Sequence, residues 1–135
     1  MSTRGITRKL DELGRITIPM EIRKTLNINV GDKMGMYINE SVMHLVKASN
    51  GFTGIARNLD ELGRWTIPME CRRTLGFQER QKLDIYVIEG EILIEKQGIW
   101  CAVCNSGNVS KLIPVKESHL CTDCIHEAMK NVNEN

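Results

Sequence analysis

Residues 5–26, GITRKLDELGRITIPMEIRKTL, return forty-nine positions later as residues 54–75, GIARNLDELGRWTIPMECRRTL. Seventeen of the 22 aligned positions are identical without a gap, the differences being Thr7/Ala56, Lys9/Asn58, Ile16/Trp65, Ile22/Cys71 and Lys24/Arg73. Self-similarity at a fixed period of this size means that one supersecondary unit is used twice. A unit of about fifty residues buries too little core to stand alone, so the copies are expected to share one. Both copies keep the turn signal Asp-Glu-Leu-Gly, a proline suited to opening a helix, and basic residues at matched places: Arg8/Arg57, Arg15/Arg64, Arg23/Arg72 and Lys24/Arg73. Packing alone would hold the apolar positions and let surface charges drift. The retained cations imply two copies of a surface that meets an anionic partner.

Each copy reads as strand, turn, strand, short helix and hairpin. Arg15 and Thr17 share one strand parity and Ile16 and Ile18 the other, as Arg64/Thr66 oppose Trp65/Ile67, which sends the arginines to solvent and the apolar residues to a core. Pro19 and Pro68 suit a first helical position. Ile22/Leu26 and Cys71/Leu75 make a narrow apolar stripe, and Asn27 and Gly76 are residue types that tolerate the left-handed conformation after a helix. Met34, Met36 and Ile38, and Leu83, Ile85 and Val87, alternate with polar or small residues as strands, with turns expected at 39–41 and 89–90. Cys71, Trp65 and Phe77 read as core residues. Arg8 shares parity with Ile6 and Leu10, as Arg57 does with Ile55 and Leu59, so a barrel rim or local twist is expected there.

The net charge of +1 hides a division. Residues 1–50 carry eight Lys/Arg against five Asp/Glu, residues 51–97 seven against eight, and residues 98–135 three against four. The first repeat is the more basic, and local placement must do what bulk charge does not. The N-terminus is polar and no apolar run approaches the roughly 18 residues of a membrane span, so a cytoplasmic protein is expected. There is no Ser/His/Asp set, glycine-rich phosphate loop or walled pair of carboxylates, so catalysis is not expected.

The string G-I-x-R-K-x-D-E-L-G-R-x-x-I-P-x-E-x-R-[RK]-T-L resembles the AbrB family of bacterial transition-state regulators, within the SpoVT/AbrB/MazE-like superfamily. The resemblance covers residues 5–47 and 54–96 and is carried twice. It implies a mainly β, swapped-hairpin barrel in which two copies interleave, and DNA binding by arginines of the motif. Carried over by position, with Lys9 alongside, the DNA-binding residues are Arg8, Lys9, Arg15, Arg23 and Lys24, and Arg57, Arg64, Arg72 and Arg73. One isolated arginine beside Asp11, Glu12 or Glu21 would be read as a surface ion pair worth about 0–1 kcal/mol. Four matched pairs inside this motif are read as DNA contacts, with phosphates setting register.

Cys101-Ala-Val-Cys104 and Cys121-Thr-Asp-Cys124 are sixteen residues apart. Each pair can close a tight knuckle, and four thiolates complete a tetrahedron, so one zinc per chain is expected. The tail is similar to the treble-clef zinc domain at the start of ClpX unfoldases, which implies dimerisation or binding of a protein partner. A redox role for either pair would need a βαβ context that is not visible. His119 and His126 flank the second pair as substitute ligands, but four cysteines suffice.

The expected organisation is therefore repeat 1 over residues 1–50, repeat 2 over 51–97, and a small α+β zinc module over 98–135. The expected function is a bacterial, nucleoid-associated transcription regulator that binds double-stranded DNA, the zinc module serving self-association or partner contact. The alternatives are an antitoxin-like module of the MazE kind that grips a toxin, and an adaptor working through the zinc module.

Overall fold

The computed structural model describes residues 3–104 and 106–133. The chain divides into two compact units, Met1–Gln97 and Gly98–Asn135. Both are built on antiparallel strands, and the fold is mainly β with few helices.

In the first unit, repeat 1 supplies β1 (Thr3–Lys9), β2 (Arg15–Thr17), α1 (Met20–Thr25), β3 (Lys33–Asn39) and β4 (Val42–Lys47). Repeat 2 supplies β5 (Ile55–Asn58), β6 (Arg64–Thr66), α2 (Met69–Leu75), β7 (Lys82–Ile88) and β8 (Glu91–Lys96). Six of these strands form one sheet in the order β1-β7-β8-β4-β3-β5, and β2 pairs with β6. The first strand of each repeat thus lies against the hairpin of the other. Lys9 stands opposite Lys82 across β1 and β7, and Asn58 opposite Lys33 across β5 and β3. This is the swapped-hairpin arrangement, made here by two copies within one chain.

Period-two alternation decides what is buried. Ile16, Ile18, Trp65, Ile67, Met34, Met43, Leu45, Leu83, Ile85, Ile92 and Ile94 join one core cluster, which also contains Cys71 and Phe77. At the centre Ile16 stands opposite Trp65, where the two copies cross. Burial raises the Cys71 thiol pKa, as expected of a residue used as a small apolar group. The alternation fades near the hairpin ends, where Ile38 and Ile88 are exposed.

The helices are short and rely on this core. Pro19 and Pro68 do not occupy the first helical position: each is the N-cap, with ψ near 144° and 145°. Their carbonyls accept the first helical bonds, from Arg23 N–H and Arg72 N–H at 3.0 Å. At the other end Ile28 N–H bonds Arg23 O at 2.7 Å and Phe77 N–H bonds Arg72 O at 2.8 Å. Asn27 (φ 57°) and Gly76 (φ 71°) turn the chain through the left-handed region, closing each helix with a Schellman motif.

The β3–β4 turn is the two-residue loop Glu40-Ser41, since Asn39 pairs with Val42. Both residues are left-handed, at φ 51° and 66°, where the matching loop of repeat 2 has Glu89 and Gly90. A side chain at Ser41 is therefore strained. Ser41→Gly is expected to stabilise the protein by about 1 kcal/mol, read as a higher urea midpoint at unchanged slope.

In the second unit, β9 (Leu112–Val115) and β10 (Ser118–Cys121) form a hairpin that leads directly into α3 (Thr122–Asn133). Among the described residues, no helix is long and apolar enough to cross a membrane.

Candidate functional site

The Asp-Glu-Leu-Gly turn holds an arginine in each copy. Asp11 accepts backbone N–H bonds from Leu13 at 2.9 Å and Arg15 at 2.8 Å, while its second oxygen pairs with Arg15 Nε at 2.6 Å. Asp60 repeats this with Leu62, Arg64 N–H and Arg64 Nε, the last at 2.8 Å. Burial alone would raise the Asp11 pKa, but the bonds from Arg15 and Leu13 outweigh it and hold the carboxyl below its ordinary 3.8. Asp60 is lowered in the same way. A depressed folded-state pKa stabilises the fold above the ordinary value, and that contribution is lost as the pH falls through the depressed one.

A second pair of arginines crosses between copies. Arg23 Nε donates to Ile18 O and Arg72 Nε to Ile67 O, each at 3.0 Å. The Arg72 guanidinium packs on Gly14 of repeat 1, and that of Arg23 on Gly63 of repeat 2. A Cβ at Gly14 would lie 2.5 Å from Arg72 Cζ, and one at Gly63 2.8 Å from Arg23 Cζ. Both glycines have positive φ, at 80° and 77°, so turn geometry and close approach alike favour glycine there. Ile18 N–H bonds Gly63 O and Ile67 N–H bonds Gly14 O at 2.8 Å, locking each turn to the other copy.

The swap therefore sorts the basic residues into mixed groups. Arg72 lies against the turn that holds Arg15, and Arg23 against the turn that holds Arg64, at the two ends of the β2–β6 ribbon. All four are half-buried and held through Nε. Lys24 and Arg73 are exposed in the last turns of α1 and α2, Arg73 donating to Met69 Sδ at 3.6 Å. Arg8 and Arg57 are also exposed, but lie on β1 and β5, at opposite ends of the sheet order. Arg8 and Arg57 stay exposed on the two strands that end the sheet order, although each is paired across from a buried residue, Leu83 or Met34. Lys9 is exposed at the end of β1. Sequence reasoning passed over Arg80, which reaches across to Glu12 with Nη2–Oε1 at 2.9 Å. It also passed over Phe52, whose ring covers Gly35.

In the second unit, the sulfurs of Cys101, Cys104, Cys121 and Cys124 all lie within 4.8 Å of one another. Zn–S bonds of about 2.3 Å place tetrahedral sulfurs about 3.8 Å apart, so the donor set fits a zinc-sized ion. Val103 N–H points at Cys101 Sγ and Cys124 N–H at Cys121 Sγ, each at 3.4 Å, as thiolate-binding knuckles require. Bonds from the backbone of Cys104 and then Cys121 hold the Cys101 thiol down at about 6. Hydrogen bonding with the Cys121 and then the Cys104 thiol pushes Cys124 up to about 12. Cys101 is thus readied to ionise while Cys124 resists it, and a dication between them would ease that resistance. His119 contributes its backbone oxygen, accepting from Ala102 N–H at 2.8 Å, and neither His119 nor His126 joins the sulfur cluster.

Residues 7–51 match the family model described as antidote-toxin recognition MazE, bacterial antitoxin. The match covers the first repeat and about a third of the chain. Relatives of this chain include three Bacillus subtilis (strain 168) proteins. Transition state regulatory protein AbrB is 54% identical over 53 residues, 39% of this chain and 55% of the relative. Stage V sporulation protein T is 46% identical over 39 residues, 29% of this chain and 22% of the relative. Putative transition state regulator Abh is 38% identical over 47 residues, 35% of this chain and 51% of the relative. The chain thus spans about half the length of AbrB and Abh, and about a fifth of the sporulation protein. By their names, two of these relatives are regulators. No solved structure matches the chain significantly.

Proposed function

We propose that this protein is a bacterial transcription regulator whose first unit, residues 1–97, binds double-stranded DNA. The observation that carries the reading is the pair of mixed arginine groups, Arg15 with Arg72 and Arg64 with Arg23, at the two ends of one β ribbon. Each guanidinium is fixed through Nε by an oxygen of the protein. Less freedom is then lost when its remaining donors meet a phosphate, and planar forks suit that ligand. Arg8, Lys9, Lys24, Arg57 and Arg73 add exposed charge around the ribbon. The similarity to transition-state regulators supports the same reading. No long recognition helix is present among the described residues, so DNA shape and deformability would weigh more than a base code. A cytoplasmic, nucleoid-associated location follows from this role.

Residues 98–135 are proposed to hold one zinc ion on Cys101, Cys104, Cys121 and Cys124 and to serve self-association or partner binding. Bound zinc would supply the cross-link that this unit's small core lacks. A second reading, an antitoxin-like module that binds a toxin, is favoured by the description of the matched family.

Arg15→Ala and Arg64→Ala are each expected to weaken DNA binding with little loss of stability. Each should lower the slope of log affinity against log salt by about one unit. Binding to unrelated duplexes, measured by anisotropy at several salt concentrations, checks this. Unchanged binding in both variants would remove the ribbon from the DNA surface. A wild-type protein with no DNA affinity that captures a toxin would favour the second reading.

A further inference from the structure

The two ends of the basic ribbon are related by the pseudo-two-fold of the repeats, yet they carry different charge. At one end Lys9 faces Lys82 across β1 and β7, and Leu10 N–H bonds Gln81 O at 2.9 Å. This places the 78–81 loop of repeat 2 against the first turn of repeat 1. The result is an open cleft lined by Lys9, Asp11, Glu12, Leu13, Arg15 and Arg80. At the other end Asn58 faces Lys33, and Leu59 N–H bonds Asp32 O at 2.8 Å. There Gly31 takes the place of Arg80.

Formal charge over the matched positions is +1 at the first end (Lys9, Arg15, Arg80 and Lys82 against Asp11, Glu12 and Glu79). At the second end it is −1 (Lys33 and Arg64 against Asp32, Asp60 and Glu61). Three replacements make this difference, Lys9/Asn58, Arg80/Gly31 and Gln81/Asp32, and Glu79/Val30 offsets one of them. In sequence they fall in different repeats and look unrelated. In the folded unit all three make the same end the more positive one.

The charge is held there against local preference. Arg80 sits at φ 62° where its counterpart Gly31 sits at φ 86°, so the arginine occupies a conformation that favours glycine. Lys9 and Lys82 are like charges directly opposite on paired strands, which repel one another. The Arg80–Glu12 pair is 73% and 65% exposed, too open to explain the arginine by its ion pair alone. An anion bound between these groups would relieve the repulsion.

We propose that Lys9, Arg80 and Lys82 form an additional phosphate clamp at one end of the ribbon. The protein then grips DNA asymmetrically, tightly over one half of its footprint and weakly over the other. This rests on the DNA-binding reading above and adds Arg80 and Lys82, which lie outside the shared motif. A regulator made of two chains with one repeat each would carry identical ends. The tandem chain can differ at its two ends and so bind in one preferred orientation.

The test is anisotropy with the full-length, zinc-loaded protein on a duplex of about 30 base pairs, over salt from about 50 to 200 mM. Lys9→Asn and Arg80→Gly each import the residue of the other repeat, and the glycine also relaxes the backbone, so folding should be retained. Each is expected to lower the salt slope by about one unit and the affinity about tenfold at 0.1 M salt, and the double variant by about two units. Asn58→Lys at the weak end should raise the slope by about one unit. Lys82→Asn should cost more than its mirror Lys33→Asn. A double variant with the wild-type slope, while Arg15→Ala still weakens binding, would overturn the clamp alone. Equal losses in Lys82→Asn and Lys33→Asn would overturn the asymmetry. A wild-type protein that binds no duplex, or binds only acidic peptides, would overturn the DNA-binding reading itself.

Discussion

A strong chelator at neutral pH is expected to unfold residues 98–135 and to leave the six-stranded sheet of the first unit intact. The reason is in the burial of the second unit. Among its described residues only Cys101 and Cys121 are fully buried, whereas Ile113, Val115, Met129 and Val132 are all at least 40% exposed. Hydrophobic burial cannot offset the chain entropy of such a unit. Structural zinc on thiolates binds with about 10–16 kcal/mol near neutral pH, more than enough to do so. Cys121→Ser should have the same effect without chelator, because Cys121 is both buried and the acceptor of the Cys124 N–H. Acid should release the metal as well, since only deprotonated thiols bind it. The measurement is metal content together with circular dichroism before and after chelation. Protein purified reduced and free of zinc, yet folded throughout, would sink the assignment.

Trp65→Ala is expected to destabilise the first unit by about 3–5 kcal/mol. Trp65 is fully buried opposite Ile16, where the copies cross, and its indole N–H donates to Arg57 O at 3.1 Å. Truncation opens a cavity at the middle of the shared core and removes the indole's hydrogen bond to Arg57 O. Trp65→Ile, which restores the residue of repeat 1, should cost less because it keeps more of the volume. Urea unfolding followed by circular dichroism reads both, avoiding the signal from Trp100. A cost below about 1 kcal/mol for the alanine would mean that the copies do not depend on this crossing, which is small for a core truncation.

What could be read along the chain is whatever depends on neighbours in sequence. The alternation Arg15-Ile16-Thr17-Ile18 gave the buried and solvent sides of β2 because strand parity is local. Asn27 and Gly76 marked helix ends because a left-handed residue is needed within one turn of the last helical one. The two C-x-x-C pairs announced a four-sulfur cluster because each knuckle is built by adjacent residues. The swap itself came through the family resemblance rather than through any local pattern. Residue order does not state that β1 pairs with β7 and β5 with β3, since such pairing depends on which distant edges are left open once the core closes. That long-range choice is why Arg8 stays exposed despite an inward parity, and why Phe52 covers Gly35. It also sets Arg72 against the turn of Arg15 and Arg80 beside Lys9. Both repeats carry the motif arginines in their sequence. Which cations share an end of the ribbon was decided by the tertiary structure, because hydrogen bonding between strands, not distance along the chain, brings them together.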